Sequence, residues 1–411
     1  MEGDLAIGHV RYSTSGSKAA WEATQPHISA IGEVLIALAH NGTLINTEKI
    51  RNNLVHQGIQ MLSTTDSEVA SKLIALETVK TNHLRDGIAA TMKQIKGAYA
   101  MVLCTPDSLY AFRDPHGIRP LSLGKMDDGC WVVASETCAF DIIGAEFVRD
   151  VKPGEILKIN KDGLDSRMGI DPKEHTMCVF EYVYFARPDS YIDGQNVYDA
   201  RFRMGKTLAE ECPVDADLVF GVPDSGLPGA SGYSFESGLP YLNAIVKNRY
   251  VGRTFISPSQ NMRQMGIRLK LNPLKPVLDG RRVVVIDDSI VRGNTMKGLI
   301  KLLREAGAKE VHLRILSPPV AWPCFYGIDM DTRKQLIAGN MAVEETRKWM
   351  NADSLGYIST EGLLKCMPKA AHQNFCTACF TGEYPIEIPN EIAKDSFKTI
   401  EDFDQVYKAK D

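Results

Sequence analysis

The chain has 411 residues, with 47 Lys and Arg against 51 Asp and Glu and a formal net charge of −4. That length exceeds what one hydrophobic core usually serves, so two domains are expected, and 44% hydrophobic with 24% charged residues is the make-up of an ordinary globular protein. The charge balance gives no sign of a nucleic-acid surface, and the apolar run Val34 to Ala39 is far too short to span a bilayer.

The opening residues, MEGDLAIGHV, have neither a basic n-region nor an apolar h-region, which points to a cytoplasmic protein. Leu5 to Val10 reads as a strand running into Arg11-Tyr12-Ser13-Thr14. A second apolar strand, Val34 to Ala39, ends in His40-Asn41-Gly42, and Asn-Gly is by itself a favoured hairpin dipeptide. Thr64 to Glu68 opens an amphipathic helix, with Asp66 or Ser67 as its cap. Strands follow at Ala98 to Cys104, Leu109 to Arg113 and Trp131 to Ala134, with turns at Asp114-Pro115-His116-Gly117 and Asp127-Asp128-Gly129. Many short strands with two or three helices suggest a layered α+β domain ending near Asp171-Pro172.

Cys178 to Phe185 reads as a strand leading into Ala186-Arg187-Pro188-Asp189-Ser190. Val197 to Glu210 reads as a helix with Arg201 and Arg203 on its surface. The strand Asp217 to Gly221 is followed by Val222-Pro223-Asp224-Ser225-Gly226, which opens another helix and offers Ser225 as an N-cap. Lys247 to Ile256 carries three cations, an aromatic and a glycine, a composition unlike a core element. Arg263, Arg268 and Lys270 extend that basic patch, and a charge run alone is usually a solvated face.

Arg282 to Thr295, RVVVIDDSIVRGNT, is the most informative stretch. Val283 to Ile286 is the β-branched run of a strand buried on both faces of a parallel sheet. Asp287 and Asp288 stand at its carboxyl end, Ser289 to Thr295 form a polar loop containing Gly293, and a helix follows until Gly307. Val311 to Leu316 is a further strand, and the alternation implies a doubly wound, mostly parallel sheet. Such sheets bind ligands beyond the carboxyl ends of their strands. Free N–H groups at the helix start suit a phosphate, and the acidic pair suits ribose hydroxyls or a hard cation such as Mg²⁺. Together they point to a phosphorylated sugar. Nine cysteines without a secretion signal argue against a disulfide framework. The single CxxC, Cys376 and Cys379, does not by itself separate an iron–sulfur site from structural zinc or a redox dithiol.

RVVVIDDSIVRGNT resembles the phosphoribosylpyrophosphate (PRPP) signature of type I phosphoribosyltransferases, in a form similar to that of the glutamine PRPP amidotransferase family. GHVRYST, AHNGTL, STTDSE, KGAYA, DPHGIRPL and ASETCAF occur in this order over residues 8–140 and resemble the glutaminase domain of class II amidotransferases. The likeness runs from Gly8 to about Pro385. It implies an α+β N-terminal-nucleophile sandwich (αββα, incomplete) over residues 1–172. An α/β type I phosphoribosyltransferase sheet over residues 173–350 and a C-terminal segment over 351–411 would follow. It also implies an amidophosphoribosyltransferase, making 5-phosphoribosylamine from PRPP and glutamine or ammonia in the first step of de novo purine synthesis.

The same resemblance assigns residues. Arg11 would pair with the glutamine α-carboxylate, Asp66 would hold its α-ammonium, Asn41 and Gly42 would form an oxyanion hole, and Thr14 would line the pocket. Asp287, Asp288, Ser289, Arg292, Gly293 and Thr295 would bind PRPP, with Lys247, Arg249 and Arg253 in a loop closing over it. Ser225, Asp287 and Asp288 would ligate Mg²⁺. Cys178, Cys324 (in PCFYGID), Cys376 and Cys379 match the [4Fe–4S] ligands of one branch, where a structural or oxygen-sensing role is implied. Inhibition by purine nucleotides and a homo-oligomer are implied too. The family's nucleophile is an N-terminal cysteine, whereas this sequence opens Met1-Glu2-Gly3, and its first cysteine, Cys104, sits in an apolar strand as a structural thiol would. The expectation is a chain that starts partway through the glutaminase domain and does not hydrolyse glutamine alone. The alternative is a PRPP- or nucleotide-binding protein without turnover; a salvage phosphoribosyltransferase would leave the glutamine-pocket residues unexplained.

Overall fold

The computed structural model describes residues 4–10, 21–248, 250, 268–328, 330, 332–367 and 374–389. Its first half is two antiparallel sheets. The strands are β1 (His27–Ile31), β2 (Val34–Leu44), β3 (Gly97–Cys104), β4 (Leu109–Arg113), β5 (Ser122–Lys125), β6 (Trp131–Ala134), β7 (Glu146–Asp150), β8 (Glu155–Asn160) and β9 (Gly163–Met168). Among the described residues, β1-β2-β3-β4-β8-β9 make one sheet and β6-β5-β7 the other. The period of two in β3 separates two cores. Tyr99, Met101 and Leu103 face the helices α1 (Thr47–His56), α2 (Asp66–Thr81) and α3 (Leu84–Met92), while Ala100, Val102 and Cys104 pack in the cluster with Leu121, Leu123 and Val151 beside the small sheet. Helix α4 (Cys138–Ile143) lies against the small sheet, which completes the αββα layering.

The second half opens with β10 (Thr176–Cys178), the two-residue hairpin of β11 (Tyr191–Ile192) and β12 (Gln195–Asn196), and α5 (Val197–Glu211). Then come β13 (Leu218–Gly221), α6 (Gly226–Ser237), β14 (Ile245–Lys247), β15 (Leu271–Pro273), β16 (Arg282–Asp287), β17 (Glu310–Ile315), β18 (Ser354–Tyr357) and β19 (Asn374–Cys376). A parallel sheet runs β13-β16-β17-β18. In β16, Val284 and Ile286 enter one hydrophobic core and Val283 and Val285 the opposite one, as a doubly covered strand requires. β18 lies within the segment 351–411, so that segment contributes a strand to this sheet. Far along the chain, β19 pairs in parallel with β10.

Several expectations change. Leu5 to Val10 joins no strand, and Val10 is 98% exposed. Asn41 and Gly42 do not turn a hairpin: β2 continues through them to Leu44, paired with β3. The cap of α2 is Thr65, whose hydroxyl accepts the Glu68 N–H, rather than Asp66 or Ser67. The strand predicted over Cys178 to Phe185 stops at Cys178 and becomes a wide helical turn over Glu181–Phe185. Arg201 explains that turn. It is buried rather than on the surface, and its guanidinium donates to the Tyr182 and Ala186 carbonyls at 2.7 and 2.8 Å. Among the described residues no helix is long and apolar enough to cross a membrane.

Candidate functional site

In the first half, β2 carries His40, Asn41 and Gly42 to the edge of a cavity, and the start of α2 brings Asp66 there too. Gly42 has φ +139°, and a Cβ there would meet the Ala98 carbonyl oxygen at 2.0 Å, so only glycine fits. Asp66 accepts N–H groups from Leu44 (3.0 Å) and Ser67 (2.9 Å), which fixes its carboxylate at the helix N-terminus. Burial pushes His40 down from the usual histidine range, against the pull of Asp66 at 3.8 Å, so its ring is neutral at physiological pH. The Asn41 carbonyl oxygen accepts from Arg119 Nε at 3.3 Å. Its amide N–H₂ donates to the Ser135 hydroxyl at 3.5 Å, a long bond that a ligand oxygen can replace. Arg11 and Thr14 lie outside the described residues.

In the second half, the carboxyl ends of β13 and β16 lie side by side, Gly221 opposite Ile286. Ser225, at the start of α6, makes no capping hydrogen bond; its hydroxyl donates instead to Asp288, which also accepts from Ser289 at 2.6 Å. Burial, and then the charge of Asp288, pushes Asp287 well above the usual carboxylate range. Burial raises Asp288 as well, opposed by Ser225, Ser289 and the Arg201 charge. Gly293, at φ +75°, turns the loop into the helix Asn294–Glu305, and a Cβ there would strike Met350 and Ile337. Arg292 and Thr295 are exposed beside it. Lys247 ends β14 and forms an ion pair with Asp224, so it belongs to a short strand. Arg249, Arg253 and Arg263 lie outside the described residues. Arg268 pairs with Glu305 on the helix flank.

One cavity of about 910 Å³ joins the two sides. His40, Asn41, Gly42 and Asp66 line one end, and Pro223, Asp224, Ser225, Lys247 and Lys270 line the other. Gly327, from the PCFYGID stretch, packs against Gly42, so the two halves of the chain meet at the Asn41-Gly42 corner. Asp287, Asp288, Ser289, Arg292, Gly293 and Thr295 do not line this cavity; Asp288 reaches its wall through the Ser225 hydroxyl. Sequence reasoning missed Glu136, Arg119 and Arg201, all on the cavity wall. The Glu136 carboxylate accepts the Arg187 N–H at 2.7 Å and the Ser190 hydroxyl at 2.8 Å, binding the first half to the second. DPHGIRPL and ASETCAF pointed to Arg119 and Glu136, but only as parts of motifs without roles.

The four cysteines converge. Cys178 and Cys376 are register partners across β10 and β19, and the Ala321 and Trp322 N–H groups both donate to the Cys379 carbonyl, which brings Cys324 alongside. All four are free; Cys178, Cys376 and Cys379 are buried and Cys324 partly so. Burial pushes Cys178 up to about 12, and Cys376 and Cys379 stand well above the ordinary thiol value because of burial and then the proximity of Cys178. Such thiols are neutral until an electrophilic centre displaces their protons. Among the described residues no group of three or more His, Cys, Asp or Glu stands ready for one metal ion. Four thiolates bonded to four different irons need not crowd to the spacing of one ion's ligands, so the donor set fits a cubane cluster. Cys104 is half-buried at the end of β3, away from this group.

Residues 9–141 match the model of a glutamine amidotransferase domain, and residues 191–317 that of a phosphoribosyl transferase domain. The amidophosphoribosyltransferase of Synechocystis sp. is 50% identical over 397 residues, covering 96% of this chain and 80% of its own. That of Methanocaldococcus jannaschii is 48% identical, with 94% and 84% covered. The solved glutamine PRPP amidotransferase of B. subtilis, complexed with ADP and GMP, superimposes with a TM-score of 0.85 at 46% identity, covering 93% of this chain and 83% of that one. With two matching domains joined by one cavity and half of its residues shared with such relatives over nearly its whole length, the chain belongs to the amidophosphoribosyltransferase family.

Proposed function

We propose a division of labour between the Asn41-Gly42 end of the cavity and the strand ends beside its Ser225 end. Asn41 and Gly42 stabilise the oxyanion of a glutamine amide, Asp66 holds the α-ammonium, and Arg11 and Thr14 complete the pocket. Asp287 and Asp288 hold the ribose hydroxyls of PRPP, while Ser289, Arg292, Gly293 and Thr295 cradle its phosphate at a helix start. Lys247, Arg249 and Arg253 neutralise the pyrophosphate. Ser225, Asp287 and Asp288 would hold Mg²⁺, which would supply charge neutralisation at the leaving pyrophosphate. Ammonia attacks the anomeric carbon as the bond to pyrophosphate breaks. Asp288 already accepts the Ser225 hydroxyl, an arrangement that a cation would take over.

The observation that carries this reading is the single cavity with the Asn41-Gly42 corner at one end and Ser225 and Lys247 at the other. Ammonia supplied at the first end has a continuous path to the second along this cavity. We further propose that Cys178, Cys324, Cys376 and Cys379 bind a [4Fe–4S] cluster that fastens β19 to β10. Residues 1–172, 173–350 and 351–411 serve as the glutaminase unit, the transferase unit and the cluster-bearing segment. The relative solved with ADP and GMP supports inhibition by purine nucleotides; a homo-oligomer in the cytoplasm completes the reading.

Pyrophosphate release from PRPP and Mg²⁺, followed with ammonia and with glutamine as parallel nitrogen donors, tests it. Ammonia-dependent turnover lost in Ser225→Ala and Asp288→Asn but kept in Asn41→Ala is the expected pattern. Equal loss in all three would sink the division of labour.

A further inference from the structure

Arg119 stands where the cavity, the cysteine group and the two halves of the chain meet. It is 6% exposed. A guanidinium carries five N–H donors, and burial makes each unpaired one costly. Nε donates to the Asn41 carbonyl oxygen at 3.3 Å. Nη2 lies 2.9 Å from Glu181, itself buried in the turn that follows Cys178. The Phe185 ring covers one face, 5.3 Å from its centroid. Nη1 is buried and has no hydrogen-bond partner. Burial works against this charge, and the Glu181 carboxylate at 2.9 Å opposes that penalty. A buried cationic N–H without an acceptor, beside two thiols assigned to a cluster, marks a place for added negative charge. A cubane bound by four thiolates brings that charge.

We infer that Arg119 is a positioning residue that donates at once to the sulfur ligands of the cluster and to the Asn41 side chain, so that the cluster and the glutamine pocket share one guanidinium. The inference rests on the cluster assignment above. Its consequence is a link between two sites that the reaction itself does not connect: a filled cluster anchors Arg119, and Arg119 aims the Asn41 amide into the pocket.

The test reads the cluster rather than turnover. The full chain is reconstituted anaerobically with ferrous iron and sulfide, and its midpoint potential is measured by reductive titration of the visible absorbance. Hydrogen bonds and positive charge near the sulfurs stabilise the reduced cluster. Arg119→Met is expected to weaken reduction at least tenfold, about 59 mV for one electron, and Arg119→Lys by less. Because Met leaves Glu181 buried and unpaired, Arg119→Met with Glu181→Gln is measured as well; the same downward shift is expected. Asn41→Ala should move the potential in the parent chain and not in the Arg119→Met background. Unchanged potentials in the Arg119 variants, or additive effects of Asn41 and Arg119, would overturn the shared guanidinium alone. A parent chain that binds no iron and sulfide would overturn the cluster assignment and this inference together.

Discussion

Replacing Asp287 with Asn keeps the shape and the oxygen that accepts the Asp288 N–H at 3.0 Å, but removes one of two adjacent carboxylates, Asp287 half-buried and Asp288 buried. Both carboxyls are raised in the fold, Asp287 by burial and then by Asp288, so the folded protein holds their protons more tightly than the unfolded chain does. Stability from this source is therefore full below about pH 4, the unfolded value, and is lost as pH rises through the raised folded values. At neutral pH the adjacent carboxyls are a standing cost, and every tenfold difference in proton affinity between folded and unfolded chain counts for about 1.4 kcal/mol. Asp287→Asn should raise the ligand-free stability by about 1–3 kcal/mol, a rise of roughly 2–4 °C in Tm per kcal/mol for a domain of this size. PRPP and Mg²⁺ at a thousandfold excess over Kd should stabilise the parent by about 4.1 kcal/mol, and the variant should forfeit nearly all of that. The two melting curves are thus expected to change order: the variant melts higher alone and lower with Mg²⁺ and PRPP. Thermal unfolding with and without ligand, at neutral pH and near pH 5, measures this. A variant no more stable than the parent when empty, or one that keeps the full ligand-induced rise in Tm, would refute the charge argument.

Gly42→Ala forces a Cβ against the Ala98 carbonyl at a positive φ; strain and overpacking together should cost about 2–5 kcal/mol in a urea titration, with the PRPP-induced stabilisation of the parallel sheet retained. Thr65→Ala removes the cap of α2 and the 2.9 Å bond to His27, and should lower the urea midpoint by an amount equal to about 1–2 kcal/mol. Burial, then the Arg113 charge, lowers His175 to about 4, so the unfolded chain takes up its proton first. Stability should fall as pH drops from about 6.5 toward 4, and His175→Gln should flatten that slope by up to one proton.

The parallel sheet was legible because β16 announces itself: four consecutive β-branched residues, an acidic pair and a Gly/Thr loop occur in one short window, and each feature is local. The glutaminase motifs gave the order of β2, α2, β3 and β4, and their residues Asn41, Gly42 and Asp66 do meet at one cavity. What stayed hidden depends on distant partners. Asn41-Gly42 has hairpin chemistry, yet the pairing of β2 with β3 through Gly42 overrides it. Arg201 looks like a surface cation on a helix until the carbonyls of residues 182 and 186 bend over it. Ser225 has the position of a cap, but Asp288, brought in by the neighbouring strand, takes its hydroxyl. Arg119 was invisible for the same reason: its three partners come from β2, from the turn after β10 and from the ring of Phe185.

The pairing of β10 with β19 also sets a schedule for synthesis. Cys178 leaves the ribosome about 200 residues ahead of Cys376, a wait of roughly 10–40 s at ordinary elongation rates. Through that interval β10 has an open edge and the nascent second half carries thiols without their partners. Closing so long a loop is also slow compared with forming the local β13-β16-β17 pairs. Chains interrupted after β18 but before residue 374 would complete the four-stranded parallel sheet and still leave β10 without its partner strand, an adhesive edge for chaperones to guard or proteases to find.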